Sequence, residues 1–362
     1  VLSKKILDTI SENDGFSVYI LQKNGIDTTH ALRDVEKRFG LVLNALGLKD
    51  STAVTEQYVQ TKTKSKSLEK IEGKKYSLNR IGFSKKQISK QSMLGNKFRI
   101  KISNLIGDIS QFTEYKKILN FFGYQRFGSR RPITHLVGKA IVQKNYQQAI
   151  DFLLTYSSKY DTEENNYYRR LISERKSDSE VIKQLPSSMD IEIAILKSLA
   201  KSDDEITAIR SIPLQMRRFY VQAYQSYIFN KTLSMAFEYG EDLFLPQEND
   251  VCYDMNNKLG KFQNEPGQKL TVPLVGHSYF TKTRFDYYIK KILEQEEVSP
   301  PEFLTKDFQE TSLEGGFRNA SIKCDDFHTS DDTVEFQLSR GSYATIVLRE
   351  ILKPDNPLSC GF

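Results

Sequence analysis

Several features that mark common protein classes are missing. The 362 residues contain only three cysteines, Cys252, Cys324 and Cys360, far apart and without a C-x-x-C pairing. That excludes a disulfide scaffold and suits a reducing compartment, so a cytoplasmic protein is expected. The four histidines, His30, His135, His277 and His328, are equally scattered. With no H-E-x-x-H or Cys/His pairing, no metal site is expected. No stretch reads G-x-G-x-x-G or G-x-x-x-x-G-K-[ST], which argues against a nucleotide cofactor and against ATP-driven chemistry. No run approaches the roughly 18 apolar residues of a membrane span, so no membrane segment is expected. The opening Val1-Leu2-Ser3-Lys4-Lys5-Ile6 has neither a long apolar stretch nor a Met. The expectation is no signal peptide and a chain that lacks its own start.

What is present supports a folded protein. Hydrophobic residues make up 39% and charged residues 27%, enough to bury a core over two domains or one elaborated domain. The net charge of +6 conceals an asymmetry. Between Thr61 and Arg131 stand 18 Lys/Arg and 4 Asp/Glu, a net of +14, which leaves 34 basic and 42 acidic residues elsewhere. Such a block faces a polyanion or forms a solvated face.

The hydropathy pattern is α+β at both ends and helical in the middle. Phe16, Val18 and Ile20 alternate as in a strand. Asp27-Thr28-Thr29 is placed to cap a helix with Leu32, Val35 and Phe39 on one face, and Gly40 to stop it. Val54–Gln60 and Phe98–Ile102 give further strands, and Phe112–Asn120 a short helix. Helices are expected over Leu136–Tyr156, Ile191–Ala200 and Leu214–Tyr239, the last entered through Pro213 and closed by Gly240. Val334, Phe336 and Leu338 alternate again before a break at Gly341-Ser342 and a last helix to Leu352. This order suggests one domain inserted in another.

Five constellations combine chemically useful residues. Asp50 stands in Gly47-Leu48-Lys49-Asp50-Ser51-Thr52-Ala53-Val54-Thr55-Glu56-Gln57, between two apolar stretches. A carboxylate on such a loop serves as nucleophile or general base, or simply caps a turn; Thr52 and Thr55 are candidates to hold it. Asn96 and Phe98 alternate on one strand face, an amide for a base edge and an aromatic for stacking or for the core. Asn120-Phe121-Phe122-Gly123-Tyr124-Gln125-Arg126-Phe127-Gly128, followed by Ser129-Arg130-Arg131, mixes stacking faces with cations. It suits RNA, a hinge between domains, or both. Arg217–Asn230 contains Ala223-Tyr224-Gln225-Ser226-Tyr227-Ile228-Phe229-Asn230, polar residues on an otherwise packed helix. Gly341-Ser342-Tyr343-Ala344-Thr345 opens the last helix.

Taken together and in this order, the five resemble the TruD family of tRNA pseudouridine synthases, in its archaeal form, over roughly Lys23 to Glu350. The resemblance implies an α+β fold: a pseudouridine synthase catalytic domain with a mixed or antiparallel sheet over 1–133 and 314–362. An inserted, mostly helical α+β TRUD domain would occupy 134–313. It implies isomerisation of uridine to pseudouridine in tRNA, typically at position 13, by a monomer without cofactor. By motif, Asp50 matches the catalytic aspartate and Lys23 the basic residue beside it. Phe98 matches the aromatic that packs by the target uracil, and Asn96 its hydrogen-bonding companion. Asn120, Gly123, Gln125, Arg126, Phe127 and Gly128 match the signature that lines the cleft. Ser51 departs from the Arg or Lys that often follows the aspartate. Lys85, Lys86, Lys97, Arg130 and Arg131, within the basic block, are the expected contacts to the RNA backbone. A non-catalytic RNA-binding protein or tRNA chaperone on the same scaffold is the alternative.

Overall fold

In a computed structural model of the chain, all residues are described except 12–13, 48, 50, 52, 65–67, 90–91, 104–111, 113–116, 175–178, 281, 331 and 361–362. The chain divides into two compact units, Val1–Phe98 and Arg99–Phe362. Both mix helix with sheet, and all the strand pairings given below are antiparallel, so the fold is α+β.

In the first unit, after the short helix α1 (Lys4–Leu7), come β1 (Phe16–Lys23), α2 (Thr28–Phe39), β2 (Leu43–Ala45), β3 (Thr55–Thr61), β4 (Lys70–Glu72), β5 (Tyr76–Ser84) and β6 (Gly95–Lys101), the last running on into the second unit. Five of these strands form a sheet in the order β2-β3-β1-β5-β4. β1 is central, with Tyr19 opposite Val59 and Leu21 opposite Gln57 on β3. Side chains alternate across a strand, so Tyr19, Leu21 and Lys23 share one face with Thr55, Gln57 and Val59. Tyr19, Leu21, Val59 and Leu78 pack there against Ala31 and Val35 of α2. The core residue on this face is thus Tyr19, one position out of step with the Phe16, Val18, Ile20 alternation. A central strand between two neighbours under a helix buries both sides of its chain, and Val18 is buried too.

The caps of α2 follow the sequence expectation. The Asp27 carboxylate accepts from the His30 N–H at 3.0 Å. Gly40 turns left-handed at φ 65°, its N–H returning to Glu36, a conformation that costs glycine little.

The second unit is dominated by helices: α3 (Thr134–Val142), α4 (Tyr146–Thr155), α5 (Glu163–Glu174), α6 (Ser179–Gln184), α7 (Asp190–Ser202), α8 (Glu205–Arg210), α9 (Leu214–Glu238) and α10 (Asp286–Gln295). The stretch expected as one helix over Leu136–Tyr156 is two. Lys144 adopts φ 58°, and the Asn145 side chain caps the second by accepting from Gln148 N–H. α9 is one helix of 25 residues behind Pro213. Its Val221, Tyr224, Ile228 and Leu233 join Val137, Ala140 and Ile141 of α3 in the main core.

β7 (Lys117–Leu119) corrects the helix expected to Asn120, whose residues 113–116 lie outside the described set. It pairs with β12 (Ser321–Lys323), Ile118 opposite Ile322. β8 (Val251–Tyr253), β9 (Leu259–Lys261), β10 (Lys269–Leu274) and β11 (Gly316–Asn319) form a second sheet in the order β11-β10-β8-β9. β13 (Asp325–Ser330) and β14 (Thr333–Ser339) make a hairpin before the last helix, α11 (Ala344–Leu352). No helix among the described residues is long and apolar enough to cross a membrane.

Candidate active site

The first cluster forms where β1 ends under α2. Lys23 shares the covered face with Leu21 and is only 2% exposed; its ammonium donates to the Ile26 carbonyl at 2.9 Å. A buried ammonium needs partners, and the α2 entry turn supplies this one. Close by, Gly47 and Lys49 are each tied down. Thr28 Oγ1 accepts from the Lys49 N–H at 3.0 Å and donates to Gln57 Oε1 at 3.0 Å, while Gln57 Nε2 donates to the Gly47 carbonyl at 2.9 Å. Thr28 and Gln57 are both buried, which makes each bond costly to lose.

Lys49, to which the motif reading assigns no role, donates from Nζ to Asn96 Oδ1. Burial first, and the Lys23 charge second, push its ammonium below the usual lysine range. The first cluster is therefore a Lys23, Lys49 and Asn96 group, of which Lys49 directly precedes Asp50 in sequence; Asp50 itself lies outside the described residues, as does Thr52. Thr55 does not hold the turn as expected. Its Oγ1 is buried without a hydrogen-bond partner among the described residues, and Thr28 and Gln57 tie Gly47 and Lys49 instead. Phe98 is half-buried on β6, while Lys85, Lys86 and Lys97 are exposed.

The second cluster lies in the second unit, around Phe122. Asn230 of α9 holds that backbone at both ends: its Oδ1 accepts from Phe122 N–H at 2.9 Å and its Nδ2 donates to Phe122 O at 3.1 Å. The Asn-Phe-Phe-Gly stretch and the Phe-Asn end of the α9 motif thus specify one another. Asn120 is buried and its amide is engaged at both ends, donating to Asn319 O at 2.9 Å and accepting from Arg318 Nη2 at 2.7 Å. Arg318, which no sequence motif marks, lies over the Phe122 ring at 4.0 Å. Arg126 lies over the same ring at 5.4 Å and over Phe219 at 5.1 Å, with Nε donating to Ser226 Oγ at 3.1 Å. Burial pushes the Arg318 guanidinium down to about 10, with Tyr343 opposing and Arg126 adding to the fall. Both arginines remain charged at neutral pH.

Gly123 makes room for this arrangement. A Cβ there would stand 2.9 Å from the Tyr343 ring and 2.7 Å from Gln125 Oε1. Gln125 Oε1 accepts from Thr345 Oγ1 at 3.2 Å. Gly128 adopts φ 94°, and a Cβ would lie 2.2 Å from Arg131 O, so no other residue fits the turn.

Two sequence expectations change here. Arg131 is not placed as a phosphate contact: its guanidinium turns inward to the Leu153 carbonyl at 3.0 Å and to Glu192 at 3.4 Å, both partners largely buried. Arg130 is the exposed member of the pair. Phe127 packs edge-on against the His135 ring at 5.4 Å, and His135 stacks on Tyr227 at 4.8 Å, so Phe127 serves helix packing.

Burial pushes the His135 imidazole down to about 4, against an opposing pull from Glu296. Between about pH 6.5 and 4 the unfolded chain takes up a proton that the folded one refuses, so stability falls as pH falls through that window. Thermal melts at pH 7 and pH 5 are expected to differ by about 2 kcal/mol more in the native protein than in His135→Gln.

Comparison with known proteins agrees over nearly the whole chain. The family model for tRNA pseudouridine synthase D (TruD) matches residues 2–351. A probable tRNA pseudouridine synthase D of Pyrobaculum islandicum is 32% identical over 360 residues, covering 95% of this chain and 85% of that protein. Its counterpart in Saccharolobus solfataricus is 31% identical over 351 residues, covering 94% and 84%. The crystal structure of a putative TruD from Methanosarcina mazei superposes with a TM-score of 0.79 at 28% identity, covering 99% of this chain and 91% of that one.

Proposed function

We propose that this chain, which belongs to the tRNA pseudouridine synthase D (TruD) family, isomerises uridine to pseudouridine in tRNA, at position 13, with Asp50 as the reacting carboxylate. The observation that carries the reading is the clamp on Gly47 and on Lys49, the residue that precedes Asp50 in sequence, in a cluster with Lys23 and Asn96.

The reaction breaks C1′–N1, turns the uracil and forms C1′–C5. It is redox-neutral and requires no cofactor. Neither atom is reachable inside a stacked helix, so the nucleotide must be extruded. Cleavage builds positive character on the sugar, as in glycoside hydrolysis. An adduct at C1′ and removal of the C2′ proton both require an ionised carboxylate. Neighbouring ammonium groups keep a carboxylate ionised, and Lys23 and Lys49 supply that field. Asn96, its Oδ1 held by Lys49, is oriented to offer its amide to a base edge, and Phe98 supplies a stacking face that limits water at the detached uracil.

Lys85, Lys86, Lys97 and Arg130, exposed and within the basic block, are our choice of backbone contacts. Among the signature residues, Gln125 and Arg126 retain accessible polar groups to offer RNA, while Asn120, Gly123 and Phe127 shape the site. We read the domain division as 1–133 with 314–362 around an inserted 134–313. The β7–β12 pairing, which ties 117–119 to 321–323, and the run of helices α3 to α10 within the insert support it. The protein is read as a cytoplasmic monomer, its three cysteines free.

The test is release of tritium from unmodified tRNA labelled at uridine C5. Release at a single site marks a synthase. Binding without release marks a chaperone and overturns the proposal. A second expectation follows from the clamp. Gln57→Leu removes the bond to the Gly47 carbonyl and the brace on Thr28 Oγ1 while leaving the RNA surface intact. It is expected to lower kcat by about 10–100-fold with KM for tRNA unchanged, since a small misplacement of a reacting group costs that much. An unchanged kcat would remove Gln57 from the positioning network.

A further inference from the structure

Half-buried arginines in the second unit are as a rule neutralised. Arg131 faces Glu192, Arg169 faces Asp161, Arg217 faces Glu310 and Arg284 faces Glu241. Arg126 and Arg318 are the exceptions. Among the described residues neither has a carboxylate within ion-pairing distance, although they share the Phe122 ring and stand close enough for each charge to oppose the other.

Their hydrogen bonds are incomplete as well. Arg126 commits Nε to Ser226 and leaves both Nη groups without a partner among the described residues. Arg318 commits Nε to the Asn120 carbonyl and Nη2 to Asn120 Oδ1 and the Gly341 carbonyl, and leaves Nη1. Both side chains are only partly buried. Two desolvated like charges without a counter-ion are costly, and a fold retains such strain where a ligand relieves it. The rings beneath hold each guanidinium in place, so little rotamer freedom is lost when an anion arrives. Tyr343, the N-cap residue of α11, has its ring 6.1 Å from Phe122, and the helix adds the positive end of its dipole to the same neighbourhood.

We propose that Arg126 and Arg318 form a phosphodiester-binding site, held on Phe122, that grips the backbone of the RNA substrate. The proposal rests on the tRNA reading for its ligand. The fork geometry of guanidinium matches phosphate oxygens, and charge-assisted bonds of that kind are the strong ones. Phosphate contacts position a strand without reading its sequence, which is the role two guanidinium groups held on one ring suit.

The test is binding of an unmodified tRNA transcript across a salt series, for the native protein, Arg126→Gln and Arg318→Gln. Removing one arginine–phosphate bond is expected to flatten the slope of log K against log salt by about 0.7–0.9. Affinity at low salt is expected to fall about tenfold. Arg318→Gln also cuts ties to Asn120, so a second measurement stands beside it. Inorganic phosphate, against chloride at equal ionic strength, is expected to raise the Tm of the native protein but not of Arg126→Gln. An unchanged slope together with an unchanged phosphate shift would mean that the arginines only brace Phe122, and the proposal falls. It also falls if polyglutamate competes as well as RNA at equal charge. Tritium release by the native protein is scored separately. Its absence defeats the synthase reading alone, and an active enzyme with unaltered salt slopes defeats this inference alone.

Discussion

Asp50→Ala is expected to abolish tritium release, by about 10⁴-fold or more, while tRNA affinity holds or rises slightly. The two halves of that result have separate causes. The rate falls because nothing else in the first cluster can meet the charge on C1′. Lys23 and Lys49 are cations and Asn96 is neutral, and a cation beside a developing oxocarbenium raises its energy. Affinity survives because removing a carboxylate from a basic surface reduces repulsion of a polyanion. Asp50→Asn keeps the shape and should be equally inactive, which separates loss of charge from loss of packing. Turnover at the native rate in either variant would sink the assignment. Loss of RNA binding along with turnover would point instead to a collapsed loop, and thermal melts distinguish that case.

The second large effect concerns stability. Gly138→Ala is expected to destabilise the second unit by about 3 kcal/mol, because overpacking two helices displaces their backbones. At Gly138 the α3 backbone approaches that of α9, and an added Cβ would lie 2.0 Å from the Tyr220 carbonyl oxygen, 2.6 Å from its carbon and 3.1 Å from Tyr224 Cβ. The carbonyl belongs to a helical backbone and cannot rotate away, so the helices must part. That movement would carry Asn230 and Ser226, on α9, away from Phe122 and Arg126. Tm is therefore expected to fall by roughly 6–12 °C, with RNA affinity weakened as the Phe122 backbone loosens. Gly260→Ala on β9, where an added Cβ meets nothing within 4 Å, is the control and should change Tm by less than about 2 °C. Equal melting of the two variants would show that the α3–α9 packing tolerates separation.

Much of the architecture is legible in local pattern. The Asp27 cap, the Gly40 stop, Pro213 ahead of a 25-residue helix and the Gly341 break before α11 are each set within a few residues of chain. Local pattern fails where distant contacts decide. Lys117–Leu119 is a strand because Ser321–Lys323, some two hundred residues later, offers it a hydrogen-bonding edge. The core side of β1 is set by α2 lying over Tyr19 and Leu21, which alternation alone does not reveal. Arg131 sits in a run of arginines that suits RNA, but Glu192 from α7 turns it inward.

The same division holds for the site. Lys49 stands in the first motif, yet a lysine beside an aspartate suggests no more than a solvated pair. Only the strand that brings Asn96 to its ammonium gives it a partner. Arg318 lies in the acidic remainder with no motif around it, and no local signal marks an arginine that will lack a carboxylate. By itself the sequence determined the family and the basic block and singled out the aspartate proposed here, since these depend on residue identity and spacing. Only the tertiary structure decided which cations face a carboxylate and which, among the described residues, do not. A charge's partner is fixed by distance in space, and the chain positions of Arg126, Phe122 and Arg318 do not encode it.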